Sequence, residues 1–267
     1  MKIISLFLLI SLSCASYAEN RPTIMASIPP IASLVKNIVG NLGDVEIIQK
    51  TSSCPHYSQI KPSLVSLIKN ADYLVFISSS FEPDFSKYVH NPNVKKIEIS
   101  KFKKLRIERN NLHIWLDLDN VAIILENIKS IMIEDGFDSK IIEENYKNSL
   151  AKLNEQKINV DYSDILVVGN SLYYLVSSKQ NNNFFELTKN SSLKKLNYLR
   201  EILEENQIHC LIHDKTIEDK FFRNMFTGQL VTIDIENWGD FDKDLSRYFF
   251  SYIQTIYSQL SLCKKTL

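Results

Sequence analysis

Short apolar runs alternate with longer amphipathic stretches along almost the whole chain, and this alternation leaves few folds open to it. Buried parallel strands read as brief Val/Ile/Leu-rich segments, and the helices that connect them read with a 3.6-residue period. "TIMASI", "VEIIQK", "YLVFIS" and "KKIEIS" are predicted strands, separated by the predicted helices "IASLVKNIVGNLG" and "PSLVSLIKNA". The pattern resumes later with "DILVVG", "CLIHD" and "LVTIDI" as strands and "SLKKLNYLREILEENQ" and "LSRYFFSYIQTIYSQLSLC" as helices. Alternating elements of this kind imply an α/β protein with parallel sheets.

Between the two series the alternation stops. "NVAIILENIKSIMIED" is a predicted helix, and "SKIIEENYKNSLAKLNEQK" is a second one with apolar Ile142, Tyr146, Leu150 and Leu153 on one face and charged or amide side chains elsewhere. A helix of this character suits a connection between two bodies. The reading is two small α/β lobes, 19–137 and 159–267, joined by a long rigid linking helix at 138–158. No residue-level repeat relates the lobes, so the duplication is one of architecture. The Asn-rich "KQNNNFF" is expected to be a surface loop.

The first 18 residues carry Lys2, the apolar run "IISLFLLISL" and small residues at Ser16 and Ala18, the pattern of a cleaved signal peptide. Export to the periplasm is therefore expected. The run is too short for a membrane span. Ser11 stands where a lipoprotein signal would carry leucine, so lipidation at Cys14 is not the favoured reading. Removing 18 of the 267 residues leaves 249, with 30 basic and 31 acidic side chains, and this balance gives no electrostatic case for nucleic acid. A monomer is expected. Three cysteines remain, Cys54, Cys210 and Cys263; in an oxidising compartment two of them can pair and one is left over.

In parallel α/β sheets, ligands bind beyond the C-terminal ends of the strands. That rule brings His56 after "VEIIQK", Gly169 and Asn170 after "DILVV", His213 and Asp214 at the end of "CLI", and Asp234 after "LVTI" to the candidate cleft. Successive strand residues face opposite ways, so His213 and Asp214 are not both expected to face it. His113, in "NLHIWLDLDN", lies beside a tryptophan, where a histidine is ordinarily packed and hydrogen-bonded. Together, two histidines and Asp234 form an N/O donor set that suits zinc. His90 and His209 carry no such signal.

"SIPP", "PHYSQIKPS", "NADYLVFI", "LHIWLD", "ILVVGNSLYYL" and "CLIHDKTIEDKF…TGQLVTID" occur in one order along the chain. In this the chain resembles the metal-binding subunits of zinc and manganese ABC importers, with the zinc branch the nearer. The resemblance implies two α/β lobes with a metal cleft between them. It further implies His56, His113 and Asp234 as metal ligands, zinc as the transported ion ahead of manganese, and a membrane permease as the partner. It also implies a Cys210–Cys263 disulfide that fastens the terminal helix and leaves Cys54 as a free thiol.

The chain departs from the family pattern at the remaining ligand. His-Asp-Ala, or Glu in manganese types, is usual where this chain reads Gly169-Asn170-Ser171, and glycine offers nothing to coordinate. Asn111-Leu112 replaces Asp-Pro before the second histidine, Tyr57-Ser58 replaces Asp-Tyr after the first, and no His-rich loop precedes His113. Cys54, Asn170 and Asp214 are the further candidates for the vacant place. The alternative reading is a family member that has lost high-affinity metal capture and serves as an interaction module. A zinc hydrolase is the third reading, and it is not adopted because the chain has no HExxH helix and no nucleophile elbow.

Overall fold

A computed structural model describes residues 21–50, 60–86, 91–156, 164–177, 183–188, 191–239, 241 and 243–263. The expected signal segment, Cys54, His56 and His90 lie outside these residues.

The first sheet comes from β1 (Thr23–Ala26), β2 (Asp44–Ile47), β3 (Tyr73–Phe76) and β4 (Lys95–Glu98). The crossovers carry α1 (Pro29–Val39), α2 (Pro62–Asn70) and the short α3 (Pro83–Ser86). Its order is β2-β1-β3-β4, all parallel, with Ile24 opposite Val45 and Val75 opposite Ile97. Proline opens both α1 and α2, where the missing N–H costs no hydrogen bond and the fixed φ suits the first turn. Gly40 ends α1 at φ +53, with its N–H on the Lys36 carbonyl.

Two helices follow, α4 (Leu118–Glu134) and α5 (Ser139–Glu155), capped by Asp117 and Asp138, whose carboxylates accept backbone N–H groups of the first turn. α5 buries Ile142 and Leu153 and packs Tyr146 and Leu150 against the core, the face expected from the sequence. It lies so close to the end of α1 that a Cβ on Gly40 would come within 2.8 Å of Asn145 Nδ2. That amide donates to the Ile38 carbonyl at 3.0 Å.

The second sheet repeats the first in plan. β5 (Ile165–Val168), β6 (Phe184–Phe185), β7 (Cys210–Asp214) and β8 (Gln229–Ile233) are parallel in the order β6-β5-β7-β8. They are connected by α6 (Tyr174–Ser177), α7 (Leu193–Glu205) and α8 (Asp219–Arg223), and α9 (Leu245–Ser261) closes the chain. The loop expectation for "KQNNNFF" is corrected at its end: Phe184 and Phe185 pair with Val167 and Val168 as an edge strand.

Strand side chains divide with a period of two. Ile24, Ala26, Tyr73 and Val75 share one continuous core with Ile165, Val167, Cys210 and Ile212, whereas Met25, Leu74 and Phe76 face α2 and Leu166, Val168 and Leu211 face α7. α1 and α9 join the two halves within that core. Ser33 Oγ donates to the Leu245 carbonyl at 2.5 Å and accepts from the Phe249 N–H at 3.0 Å, while Asn37 Nδ2 donates to the Ser246 carbonyl at 2.7 Å. Cys210 and Cys263 form a disulfide across a Cα–Cα distance of 5.6 Å, which ties the end of α9 to β7.

Candidate metal centre

Each sheet changes winding direction next to its first strand, so a crevice opens at the C-terminal ends of β1 and β3 and another at those of β5 and β7. His113 reaches this region from the loop after β4, at the start of a 3-10 turn over Ile114–Leu116. Its ring is buried, edge-on to Phe81 at 5.2 Å and beside Trp115 at 5.3 Å.

Asn111 sets the orientation of that ring. The backbone N–H of His113 donates to Asn111 Oδ1 at 3.0 Å, which identifies that atom as the amide oxygen. His113 Nδ1 lies 2.8 Å from the same oxygen and must carry the proton, so the lone pair is on Nε2. The other end of the Asn111 amide donates to the backbone carbonyl of Asn170, 2.6 Å away in the second half of the chain.

Further contacts surround this bridge. Tyr174 Oη donates to the Asn111 carbonyl at 2.8 Å and accepts from the Glu108 N–H at 3.0 Å; Tyr173 Oη donates to Glu108. The Arg109 guanidinium lies over Tyr173 at 5.3 Å and Phe184 at 5.6 Å.

His113 and Asn170 line one cavity of about 500 Å³, with Ser80, Phe81, Ile107 and Asn110 among its walls. Asn170 Oδ1 is buried and finds no hydrogen-bond partner among the described residues, an expensive condition for an amide oxygen unless something else engages it. Asp234 and Asp214 line a second cavity of about 260 Å³ beyond β7 and β8. Asp234 Oδ2 pairs with Lys215 Nζ at 2.7 Å and Oδ1 accepts from the Glu236 N–H at 3.2 Å. Asp214 is committed on both oxygens, to Ser171 Oγ and to the Thr216 N–H.

The sequence-predicted residues thus fall into two groups, His113 with Asn170 and Asp214 with Asp234. Among the described residues no three His, Cys, Asp or Glu side chains converge as a metal cluster. His213 points to the opposite face of β7 from Asp214, as strand alternation requires. It is fully buried against Phe222, with Nε2 3.2 Å from Asp219 Oδ1. His209 has a structural place, Nδ1 lying 2.9 Å from Asp164 Oδ2 and Nε2 2.7 Å from the Cys263 carbonyl oxygen.

Gly169 is more than an absent ligand. Its φ is +118°, and a Cβ there would stand 3.1 Å from the Asp214 Cβ, so any side chain at this position would strain the backbone as well as the contact. Two residues escaped the sequence reading. Asn111 looks there like a mere departure from Asp, and Glu82 carries no motif; its only signal is an acid set between Phe81 and Pro83 in the segment that follows a buried strand.

The model of the family described as zinc-uptake complex component A, periplasmic (ZnuA), matches residues 24–165. The chain is 27% identical to the uncharacterized protein RP014 of Rickettsia prowazekii over 259 residues, covering 94% of this chain and 86% of that one. It is 29% identical to the metal ABC transporter substrate-binding lipoprotein SloC of Streptococcus mutans over 178 residues, 57% of this chain and 58% of the lipoprotein. The fold superposes on the periplasmic zinc-binding protein TroA of Treponema pallidum with a TM-score of 0.73 at 14% identity, over 92% of this chain and all of that one. With two parallel four-stranded sheets of the same strand order and a model match across more than half its length, the chain belongs to the ZnuA family of periplasmic metal-uptake components, a family of solute-binding proteins and not of enzymes.

Proposed function

We propose that the protein is an exported carrier that captures a divalent metal, zinc ahead of manganese, and delivers it to the permease of an ABC importer. In this reading residues 1–18 are removed on export, 19–137 and 159–267 act as the two lobes, and 138–158 is the rigid connection. The observation that carries the proposal is His113. A buried imidazole held in one tautomer by an outer hydrogen bond on Nδ1, with its lone pair on Nε2, is the usual arrangement of a metal-ligating histidine. His56 supplies the second imidazole and Asp234 the carboxylate. Asn170, whose buried Oδ1 lines the same cavity as His113, takes the place that Gly169 leaves vacant. Cys54 and Asp214 are weaker candidates: Cys54 is two residues from His56, and Asp214 already binds Ser171 and Thr216.

The second reading, a carrier fold without high-affinity capture, is favoured by two observations. Gly169 adopts a conformation hostile to any replacement ligand, and Asp234 is engaged by Lys215. Zinc content of the protein purified without added metal separates the two readings, since a working carrier retains about one ion per chain. In competition titrations His56→Ala and His113→Ala are expected to abolish stoichiometric zinc binding and Asn111→Ala to weaken it about 10–100-fold, as loss of an outer hydrogen bond does at other metal sites. His90→Ala should leave binding intact. Equal affinity across all four variants would reject the cleft as the site.

A further inference from the structure

Asn111 orients His113, and Asn111 is itself held from the other half of the chain. Residues 108–111 make a tight turn, closed by the Asn111 N–H on the Glu108 carbonyl at 2.9 Å, with Arg109 at φ +54° and Asn110 at φ +56° in its centre. Two successive non-glycine residues in the left-handed region need an outside restraint to stay there. The backbone groups left at the two ends of the turn, the Glu108 N–H and the Asn111 carbonyl, meet at one atom: Tyr174 Oη lies 3.0 Å from the first and 2.8 Å from the second.

Tyr174 opens α6 in the second half and is 2% exposed. A phenol has one proton to give and can accept as well. Burial pushes the Tyr174 phenol above its ordinary pKa, so the proton stays in place. The Arg106 carbonyl, 3.2 Å away, already accepts from Asn120 Nδ2 at 2.9 Å, and the nearer Asn111 carbonyl takes the Tyr174 proton. The hydroxyl therefore accepts from one end of the turn and donates to the other. The adjacent Tyr173 works differently: its hydroxyl donates to the Glu108 carboxylate and its ring lies under the Arg109 guanidinium, contacts that leave Asn111 out.

We infer that Tyr174 is a positioning residue of the candidate metal centre, acting on His113 through Asn111. Its hydroxyl fixes the 108–111 turn, the turn fixes Asn111, and Asn111 Oδ1 fixes the Nδ1–H tautomer of the imidazole. The Asn111 amide also donates to the Asn170 carbonyl at 2.6 Å, so residues 170 and 174 grip Asn111 at its side chain and at its backbone. A side chain of the second half thereby sets the state of a ligand that the first half supplies. For its effect on metal the inference rests on the carrier reading; for the tautomer of His113, which is set without metal, it does not.

The test compares Tyr174→Phe with Tyr173→Phe in the full-length exported protein, free of metal, by nitrogen NMR of its five histidines, the His113 signals being those absent from His113→Ala. In the parent protein and in Tyr173→Phe, His113 should hold a single tautomer protonated on Nδ1, whereas Tyr174→Phe should populate both tautomers. Zinc affinity should fall about tenfold in Tyr174→Phe, the lower end of the effect of losing an outer hydrogen bond at a metal ligand, and stay within about twofold in Tyr173→Phe. Hydrogen exchange of the parent protein gives a reading that needs no variant: the Glu108 N–H, bonded to Tyr174, and the His113 N–H, bonded to Asn111, should open together with equal protection. A single Nδ1–H tautomer in Tyr174→Phe would overturn the inference. So would an equal loss of the tautomer in Tyr173→Phe, a Glu108 N–H that exchanges freely while the His113 N–H stays protected, or zinc affinity that survives Tyr174→Phe but not His113→Ala. Mixed tautomers in Tyr174→Phe, with zinc affinity unchanged both there and in His113→Ala, would uphold the positioning of His113 and reject the carrier reading of the cleft.

Discussion

Glu82 puts an ionisable carboxyl group entirely out of water, one residue from the phenyl ring that packs on His113. Its Oε2 accepts from the N–H groups of Ile77 at 2.7 Å and Ser78 at 3.3 Å, so it gathers the turn that follows β3. Those bonds and the Ser27 hydroxyl favour the charged form, but loss of solvation outweighs them and pushes the pKa from 4.5 up to about 7. A raised carboxyl pKa means that the folded protein holds this proton more tightly than the unfolded chain does. The contribution to stability is therefore fully present below pH 4.5 and is lost as pH rises to about 7. The shift corresponds to about 3 kcal/mol. Glu82→Gln, which stays neutral and keeps an acceptor oxygen for the two N–H groups, should flatten this part of the stability profile. Urea unfolding measured across that pH window checks it, and parallel profiles for the two proteins would show that Glu82 does not titrate there.

At the scale of elements, the end of α9 is held by three fastenings: the Cys210–Cys263 disulfide, His209 Nε2 on the Cys263 carbonyl, and Gln229 Nε2 on the Leu262 carbonyl at 2.9 Å. The disulfide closes a sequence separation of 53 residues, and loss of a bridge of this span is expected to cost about 2–4 kcal/mol. Reduction, or Cys210→Ser with Cys263→Ser, should lower the urea midpoint accordingly, and identical midpoints with and without reductant would refute this. Long elements such as α4, α5 and α9 were legible in the sequence because two or more turns of apolar spacing leave a clear period, and the buried strands were legible as short apolar runs. Phe184–Phe185 was not, because two residues have no period, and the single-turn helices α3, α6 and α8 escaped for the same reason. At the site, His113 was legible as a residue in a pattern, whereas its partner was not. Asn111 folds back on it through a turn in which Arg109 and Asn110 both adopt positive φ, and nothing in the side-chain order announces that turn. The Lys215–Asp234 pair likewise depends on β7 lying beside β8.

Across the whole molecule, the inner faces of the two sheets share one interior. One continuous cluster of buried side chains runs from Ile24 and Ile38 of the first half through Trp115 and Ile142 to Ile212, Phe249 and Leu260 of the second. Polar groups reinforce it where α1 meets α9: Asn37 Nδ2 reaches both the Ser33 carbonyl at 2.9 Å and the Ser246 carbonyl at 2.7 Å from a buried position. The clasp of Glu108, Arg109 and Asn111 on Tyr173, Tyr174 and Asn170 adds a second bridge near the candidate metal cavity. Opening one lobe would expose the shared core of the other, so neither can unfold alone without a large loss of buried apolar area. Thermal unfolding of the full chain is therefore expected to be a single transition, with calorimetric and van't Hoff enthalpies in agreement. Asn37→Ala removes two hydrogen bonds, one to each of the Ser33 and Ser246 carbonyls, a loss of about 1–3 kcal/mol. It should shift that one transition downward as a unit. Two resolved transitions in the parent protein, or an Asn37→Ala effect confined to one of two phases, would mean that the halves are thermodynamically separate in spite of their common core.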